Sequence, residues 1–114
     1  MSPGLPIDFN GLDTTVHGAV RLGALTSLQI DGPLDFTTLK KRLDVSDGAL
    51  GIHMLKLEEA KYVQAKKSFI GRRPRTRYQI TAAGRRALTQ YLQSMRQLLD
   101  EVERRQPPGA VKTT

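Results

Sequence analysis

A chain of 114 residues with no cysteine, two histidines and a formal net charge of +7 describes one domain with a modest core. That composition excludes disulfides, thiolate metal sites and a histidine-rich metal site, and no stretch reaches the roughly 18 apolar residues of a membrane span. The excess charge sits in the middle: residues 40–86 carry a net +9, against −3 for residues 1–39 and +1 for residues 87–114. Positive charge segregated in this way favours a polyanionic partner over a merely soluble surface. The N-terminus has no basic segment followed by an apolar run, so a soluble, cytoplasmic protein with no membrane partner is expected.

Residues 1–11 contain Pro3, Gly4, Pro6 and Gly11 and show no helical period, which predicts a flexible arm; Leu5, Ile7 and Phe9 are its candidates for packing on a partner. Leu12 to Thr15 offer capping residues for a helix running to about Gln29. Val16, Ala19, Val20, Gly23 and Ser27 trace one side, and Leu22, Leu25 and Leu28 widen the apolar surface. A helix apolar all round needs cover on two sides, its own core and a second subunit. Asp31-Gly32-Pro33 is a turn. Asp35 then caps a short helix, Phe36 to Leu43, that buries Phe36, Leu39 and Leu43 and exposes Lys40, Lys41 and Arg42. Asp44-Val45-Ser46 turns into the next helix, completing a helix-turn-helix signature.

Ser46 is the expected cap of a helix over residues 46–60, with Leu50, Met54 and Leu57 at the spacing of a buried stripe. With Leu50 at zero on a helical wheel, Met54 and Leu57 fall within about 40°, and Gly48, Gly51, Ile52 and Leu55 lie roughly opposite. That outward face suits a groove-binding helix, with Ser46 and Asp47 at its entry and Lys56 beside it. It offers glycines and aliphatics, fit for close approach and thymine methyls but for few base-edge hydrogen bonds. The same Ile52 and Leu55 would also suit burial against another subunit or element.

At Tyr62 the period changes from 3.6 to 2. Val63, Ala65 and Phe69 can share one strand face, with Gln64, Lys66 and Ser68 on the other. Gly71 to Arg75 supply a turn, and Thr76, Tyr78 and Ile80 alternate along a returning strand. Arg72, Arg73 and Arg75 around Pro74 are suited to a narrow minor groove or to forking onto phosphate. Lys40, Lys41, Lys56, Lys66, Lys67 and Arg77 read as phosphate contacts, while Arg85 and Arg86 fit either phosphate or an acidic partner. Thr81 caps a long helix from Ala82 to about Arg105 with apolar residues Ala87, Leu88, Tyr91, Leu92, Met95, Leu98, Leu99 and Val102. At about 1.5 Å per residue it runs some 35 Å and overshoots a small domain, so Met95 to Val102 predict a coiled-coil-like dimer seam. Gln106-Pro-Pro-Gly109 ends it and begins a flexible tail over residues 106–114.

His53 lies toward the buried side of its helix and reads as a packed histidine bonded to a neighbouring backbone group; His17 is structural or lies at a subunit interface. No catalytic constellation, cofactor site or metal site is present. Gly71-Arg-Arg-Pro lacks the Gly-Lys-Ser/Thr ending of a P-loop, and an enzyme is not expected.

The blocks Val16–Leu22, Leu34–Leu39, Val45–His53, Gly71–Thr76 and Ile80–Arg85, in this order, resemble the winged-helix transcriptional regulators of the MarR/ArsR-like superfamily, closest to its small one-domain group. The resemblance covers roughly residues 13–100. It implies a mainly α fold with a small β-hairpin: a winged helix-turn-helix over residues 12–81 and a C-terminal dimerisation helix over 82–105. It further implies a homodimer on double-stranded DNA, the 46–60 helix in the major groove and the 61–80 hairpin on the minor groove or phosphates. The first and last helices would form the subunit interface through Val16, Val20, Tyr91, Met95, Leu98, Leu99 and Val102. Three departures stand out: Lys61 where the family usually carries glycine, Gly51 and Ile52 where polar residues are common, and no Cys or His ligand set of the metal-sensing branch. No residue pattern identifies a small-molecule effector. The alternative is a winged-helix protein-interaction module that binds nucleic acid nonspecifically.

Overall fold

Asp13 shapes the start of the fold. Its carboxylate accepts hydrogen bonds from the Thr15 amide at 2.8 Å and the Val16 amide at 3.3 Å, and its carbonyl accepts from the His17 amide. An Asx turn results, so the expected capping residues serve this turn instead of the helix. Helix α1 (Ala19–Asp31) begins later than the sequence predicts, behind Gly18, which contributes no side-chain cap. Val16, expected on the helix, is fully buried from within the turn. The computed structural model describes residues 11–105; the arm and tail expected at 1–11 and 106–114 lie outside the described residues, apart from Gly11.

Helix α1 buries Ala24, Leu25, Ser27 and Leu28. At Gly23 it passes so near α2 (Phe36–Leu43) that a β-carbon would stand 2.7 Å from the end of Leu43. Asp35 caps α2 as the sequence predicts, accepting from the Thr38 amide at 2.8 Å. Asp44 closes α2 in the left-handed region at φ +52, a conformation that Asp tolerates better than most residues. Ser46 then caps α3 (Asp47–Glu59) through the Ala49 amide at 3.2 Å, and Leu50, Met54 and Leu57 are fully buried at the expected spacing.

Helix α3 ends on Lys61, whose φ is +67. The Lys61 amide bonds to the Glu58 carbonyl and the Tyr62 amide to the Leu57 carbonyl, each at 2.9 Å. This pair of bonds is a Schellman motif, which needs its left-handed residue whichever side chain occupies it. Strands β2 (Val63–Ile70) and β3 (Arg73–Ile80) follow as an antiparallel hairpin in register from Val63↔Ile80 to Ile70↔Arg73. A third strand, β1 (Leu34–Asp35), joins the outer edge of β3 through Leu34↔Tyr78 and Asp35↔Arg77, giving the order β1-β3-β2. The sequence shows a hairpin only, because two residues after Pro33 are too short to carry a strand period.

Thr81 caps α4 (Ala82–Arg104) through the Gly84 amide at 3.0 Å. The start of α4 is seated on Tyr62. The Tyr62 carbonyl accepts from the Thr81 amide at 3.0 Å, and a β-carbon on Gly84 would stand 2.2 Å from that same oxygen. The Tyr62 hydroxyl donates to the Asp13 carboxylate, which pushes its pKa up to about 12 with burial adding to the effect. One residue thus ties the N-terminal turn, the end of α3 and the start of α4.

The core gathers Leu25 and Leu28 of α1, Leu39 of α2, Leu50, Met54 and Leu57 of α3, Val63, Tyr78 and Ile80 of the sheet and Leu88 and Tyr91 of α4. Beyond Tyr91 only Met95 among the apolar residues of the helix still packs against this core. Leu92, Leu99 and Val102 are exposed, while Met95 and Leu98 are half-buried. Glu101 is buried and ion-paired with Arg104 and Arg105. Among the described residues, no helix is long and apolar enough to cross a membrane, and no group of acidic residues and histidines is arranged to hold a metal ion.

Candidate nucleic-acid interface

Burying Leu50, Met54 and Leu57 turns the opposite side of α3 to solvent, where Ile52 and Leu55 are 61% and 56% exposed. Gly48 is exposed and Gly51 half-buried, and a β-carbon on either would meet nothing within 4 Å. Glycine inside a helix is about 1 kcal/mol less favourable than alanine. The fold therefore gains nothing from either glycine, and both leave the backbone bare on the outward face.

The polar groups at the start of α3 are partly engaged. The Ser46 hydroxyl accepts the capping hydrogen bond, and Asp47 pairs with Lys40 at 2.9 Å. Both partners of that pair are well exposed, so it stabilises the fold by at most about 1 kcal/mol, but it neutralises the one acid in the first turn. Lys41 and Lys56 are exposed, and Arg42 pairs with Asp31.

His53 is a packed residue, but its partner is a guanidinium and not the expected backbone group. Arg21 Nη1 donates to His53 Nδ1 at 2.9 Å, while its other nitrogens donate to the carbonyls of Thr15 at 2.7 Å and Thr14 at 3.1 Å. Burial first, then the charges of Arg21 and Lys56, hold the His53 pKa below the ordinary imidazole value. Arg21 thereby locks the N-terminal turn to the inner side of α3. His17 has a structural partner too, its Nδ1 lying 2.6 Å from the Tyr91 hydroxyl.

The hairpin loop is tighter than the sequence predicts. Only Gly71 and Arg72 lie between the strands; Gly71 has φ +62 and Arg72 a negative φ, as in a type II′ turn. Arg73, Pro74 and Arg75, expected in the turn, belong to β3. Ile70↔Arg73 closes the loop, so Phe69↔Pro74 is a non-hydrogen-bonded pair, where the missing proline N–H is not needed. Alternation along the strands sorts the cations. Lys66, Arg73, Arg75 and Arg77 share one face of the ribbon, Lys67 lies on the other, and Arg72 occupies the loop.

Arg75 is not a free tip residue. Its Nε is buried, and its nearest carboxylate is Asp35 at 3.5 Å, so the side chain leans back from the hairpin onto the cap of α2. The hydrogen bonds from Thr38 hold the Asp35 carboxyl below its ordinary pKa, helped by the charges of Arg75 and Arg77. Lys66, Lys67, Arg72, Arg73 and Arg77 are exposed, and none of them takes part in an ion pair among the described residues. Asp35 as a counter-charge for the hairpin has no sequence signal, because its distance from Arg75 along the chain hides the pairing.

The residues expected between subunits fall into two groups. Val16 and Tyr91 are consumed by the core of their own chain. Val20 and Met95 pack half-buried against that same core, Leu98 is half-buried, and Leu99 and Val102 stand in solvent with Leu92.

Residues 20–99 match the family model of the winged helix DNA-binding domain. A stretch of 69 residues is 41% identical to an uncharacterized protein of Methanocaldococcus jannaschii, covering 60% of this chain and 75% of that protein. Among solved structures, the fold is similar to a transcriptional regulator homologue protein from Pyrococcus horikoshii OT3, with a TM-score of 0.71 and 31% identity over 77% of this chain and 87% of that one. It is also similar to a MarR family transcriptional regulator from Silicibacter pomeroyi, with a TM-score of 0.58 and 22% identity over 80% of this chain and 60% of that one, a likeness of fold alone.

Proposed function

The chain belongs to the winged helix DNA-binding domain family, and from that premise we propose that it is a homodimeric, sequence-specific regulator of transcription acting on double-stranded DNA. Its fold is similar to that of a solved transcriptional regulator homologue at 31% identity, which supports a regulator over an enzyme. In the proposed complex α3 enters the major groove with Ser46, Asp47, Gly48, Gly51, Ile52, Leu55 and Lys56 toward the bases and backbone. The wing sets Lys66, Lys67, Arg72, Arg73 and Arg77 on the minor groove or phosphates, with Arg75 bracing it at Asp35, and Lys40 and Lys41 meet phosphate beside α3.

One observation carries this reading: a helix with a bare, exposed outer face runs through a single tight turn into a hairpin with five exposed cations that take part in no ion pair among the described residues, Asp35 being the acid at its base. No Asp or Glu occurs between Glu59 and Asp100. Phosphate contacts by such cations supply affinity and position, and the α3 face supplies base discrimination through close approach and thymine methyls. Dimerisation is assigned to the outer half of α4, where Leu92, Leu99 and Val102 form an exposed apolar seam continuous with half-buried Met95 and Leu98.

Selection of bound duplexes from a random pool tests this. The expected result is enrichment of a palindromic site, with affinity falling steeply as salt rises. The exposed Ile52 and Leu55 also favour a second reading, a protein-interaction face beside a nonspecific nucleic-acid hairpin. Equal recovery of all sequences, together with a stable protein partner held through Ile52, would establish that second reading.

A further inference from the structure

Phe69 and Ile70 stand at the outer end of β2, 72% and 60% exposed. They point to opposite sides of the hairpin. Phe69 shares its face with Pro74, and Ile70 shares the other with Arg73. The core covers neither residue, because β1 pairs β3 only at Tyr78 and Arg77 and the ribbon beyond is two strands wide; Ile70 borders an open pocket whose far wall is Phe36 of α2 yet stays exposed. A hairpin that only contacts phosphate needs a turn and cations; it gains nothing from an aromatic ring and a branched aliphatic in water.

Resting on the reading of the chain as a duplex-DNA binder, we propose that the hairpin tip is an apolar wedge. Phe69 and Ile70 enter the minor groove at the flank of the site and prise open a base step, kinking the bound duplex. Charge complementarity selects this occupant. Lys67, Arg72 and Arg73 surround the two apolar side chains, and the segment from Ala60 to Leu99 holds no acid, so the tip fits a polyanion that also offers an apolar interior. Base pairs stacked between two phosphate rows are such a partner, and apolar side chains inserted from the minor groove unstack and bend them. The tight Gly71-Arg72 loop and Pro74 keep the end narrow and stiff. Pyrimidine–purine steps open most easily, so the wedge adds a preference for them at positions the α3 face does not touch.

The test measures DNA bending and affinity with the full chain on a selected duplex carrying fluorophores at its two ends. Wild-type protein shortens the end-to-end distance. A Phe69→Ala/Ile70→Ala variant, which removes no buried side chain, binds with the bend lost, the salt slope kept and affinity reduced on the order of tenfold or less, because the lost contact is offset by stacking no longer broken. Phe69→Leu keeps most of the bend. An Arg72→Ala/Arg73→Ala variant loses salt slope instead. A wild-type complex with straight DNA, or an alanine variant that bends DNA as before, overturns the wedge while leaving DNA binding standing. The wedge also falls if the alanine variant loses only its binding to vesicles of anionic lipid, with its DNA complex unchanged. Wild-type protein that binds no duplex overturns the proposed function and the wedge with it.

Discussion

Replacing Arg72 and Arg73 with alanine removes two exposed cations that take part in no ion pair among the described residues. Each phosphate contact contributes about 0.9 to the slope of log affinity against log salt, so the double variant should flatten the slope by about 1.8 per wing and about 3.6 for a dimer with both wings engaged. Between about 50 and 200 mM salt, a slope change of that size alters the ratio of wild-type to variant affinity by about 150-fold, with the larger deficit at low salt. Arg75→Ala should behave differently. Its guanidinium leans on Asp35, so the change should loosen the base of the wing and lower thermal stability while moving the slope by less than one contact. Fluorescence anisotropy on one labelled duplex across a salt series, with melting curves for each variant, measures both effects. An unchanged slope in the double variant, or an Arg75→Ala slope change as large as that of the double, would refute the assignment of free and anchored arginines.

Four further variants probe the framework. Lys61→Gly should stabilise the protein by about 0.5 kcal/mol, since relief of a left-handed residue outweighs the extra freedom of glycine in the unfolded chain, and should raise Tm by about 2–4 °C; Lys61→Ala should give no gain in the same melts. Gly84→Ala drives a β-carbon into the Tyr62 carbonyl and should cost about 2–3 kcal/mol in urea unfolding, with wild-type stability there contradicting the close seat of α4. Leu99→Glu with Val102→Glu alters only exposed positions, so the chain should stay folded yet sediment as a monomer with weakened duplex binding; a dimer with undiminished binding would move the interface elsewhere.

The elements with strong local signals were legible in the residues. Asp35, Ser46 and Thr81 cap the helices the sequence assigns to them, and the Leu50, Met54, Leu57 stripe is buried as spaced, because caps and helical periods act within a few residues. The start of α1 was not legible: Asp13 has both a helix and a local turn open to its carboxylate, and only the long-range bond to Tyr62 and the Arg21 bridge to Thr14 and Thr15 favour the turn. The hairpin is legible from the change of period at Tyr62, and the length of its loop is not. Pro74 reads as a turn residue until the pairing shows that it occupies a non-hydrogen-bonded pair needing no N–H. Phe69 has the parity of a core residue, but the strand outruns the core that would bury it. Charge was legible as a run of cations, whereas the division into free Arg72 and Arg73 and anchored Arg75 depends on Asp35, far away in sequence.

Hydroxyl-radical footprinting of the protein on its selected duplex tests the central claim most directly. Two copies of α3 in successive major grooves predict two symmetric half-sites about 10 base pairs apart, each flanked by minor-groove protection where a wing lies. In the Arg72→Ala/Arg73→Ala variant the flanking protection should weaken while the half-sites remain. Uniform protection along any duplex, with no half-site and no flank dependent on Arg72 and Arg73, would contradict the account.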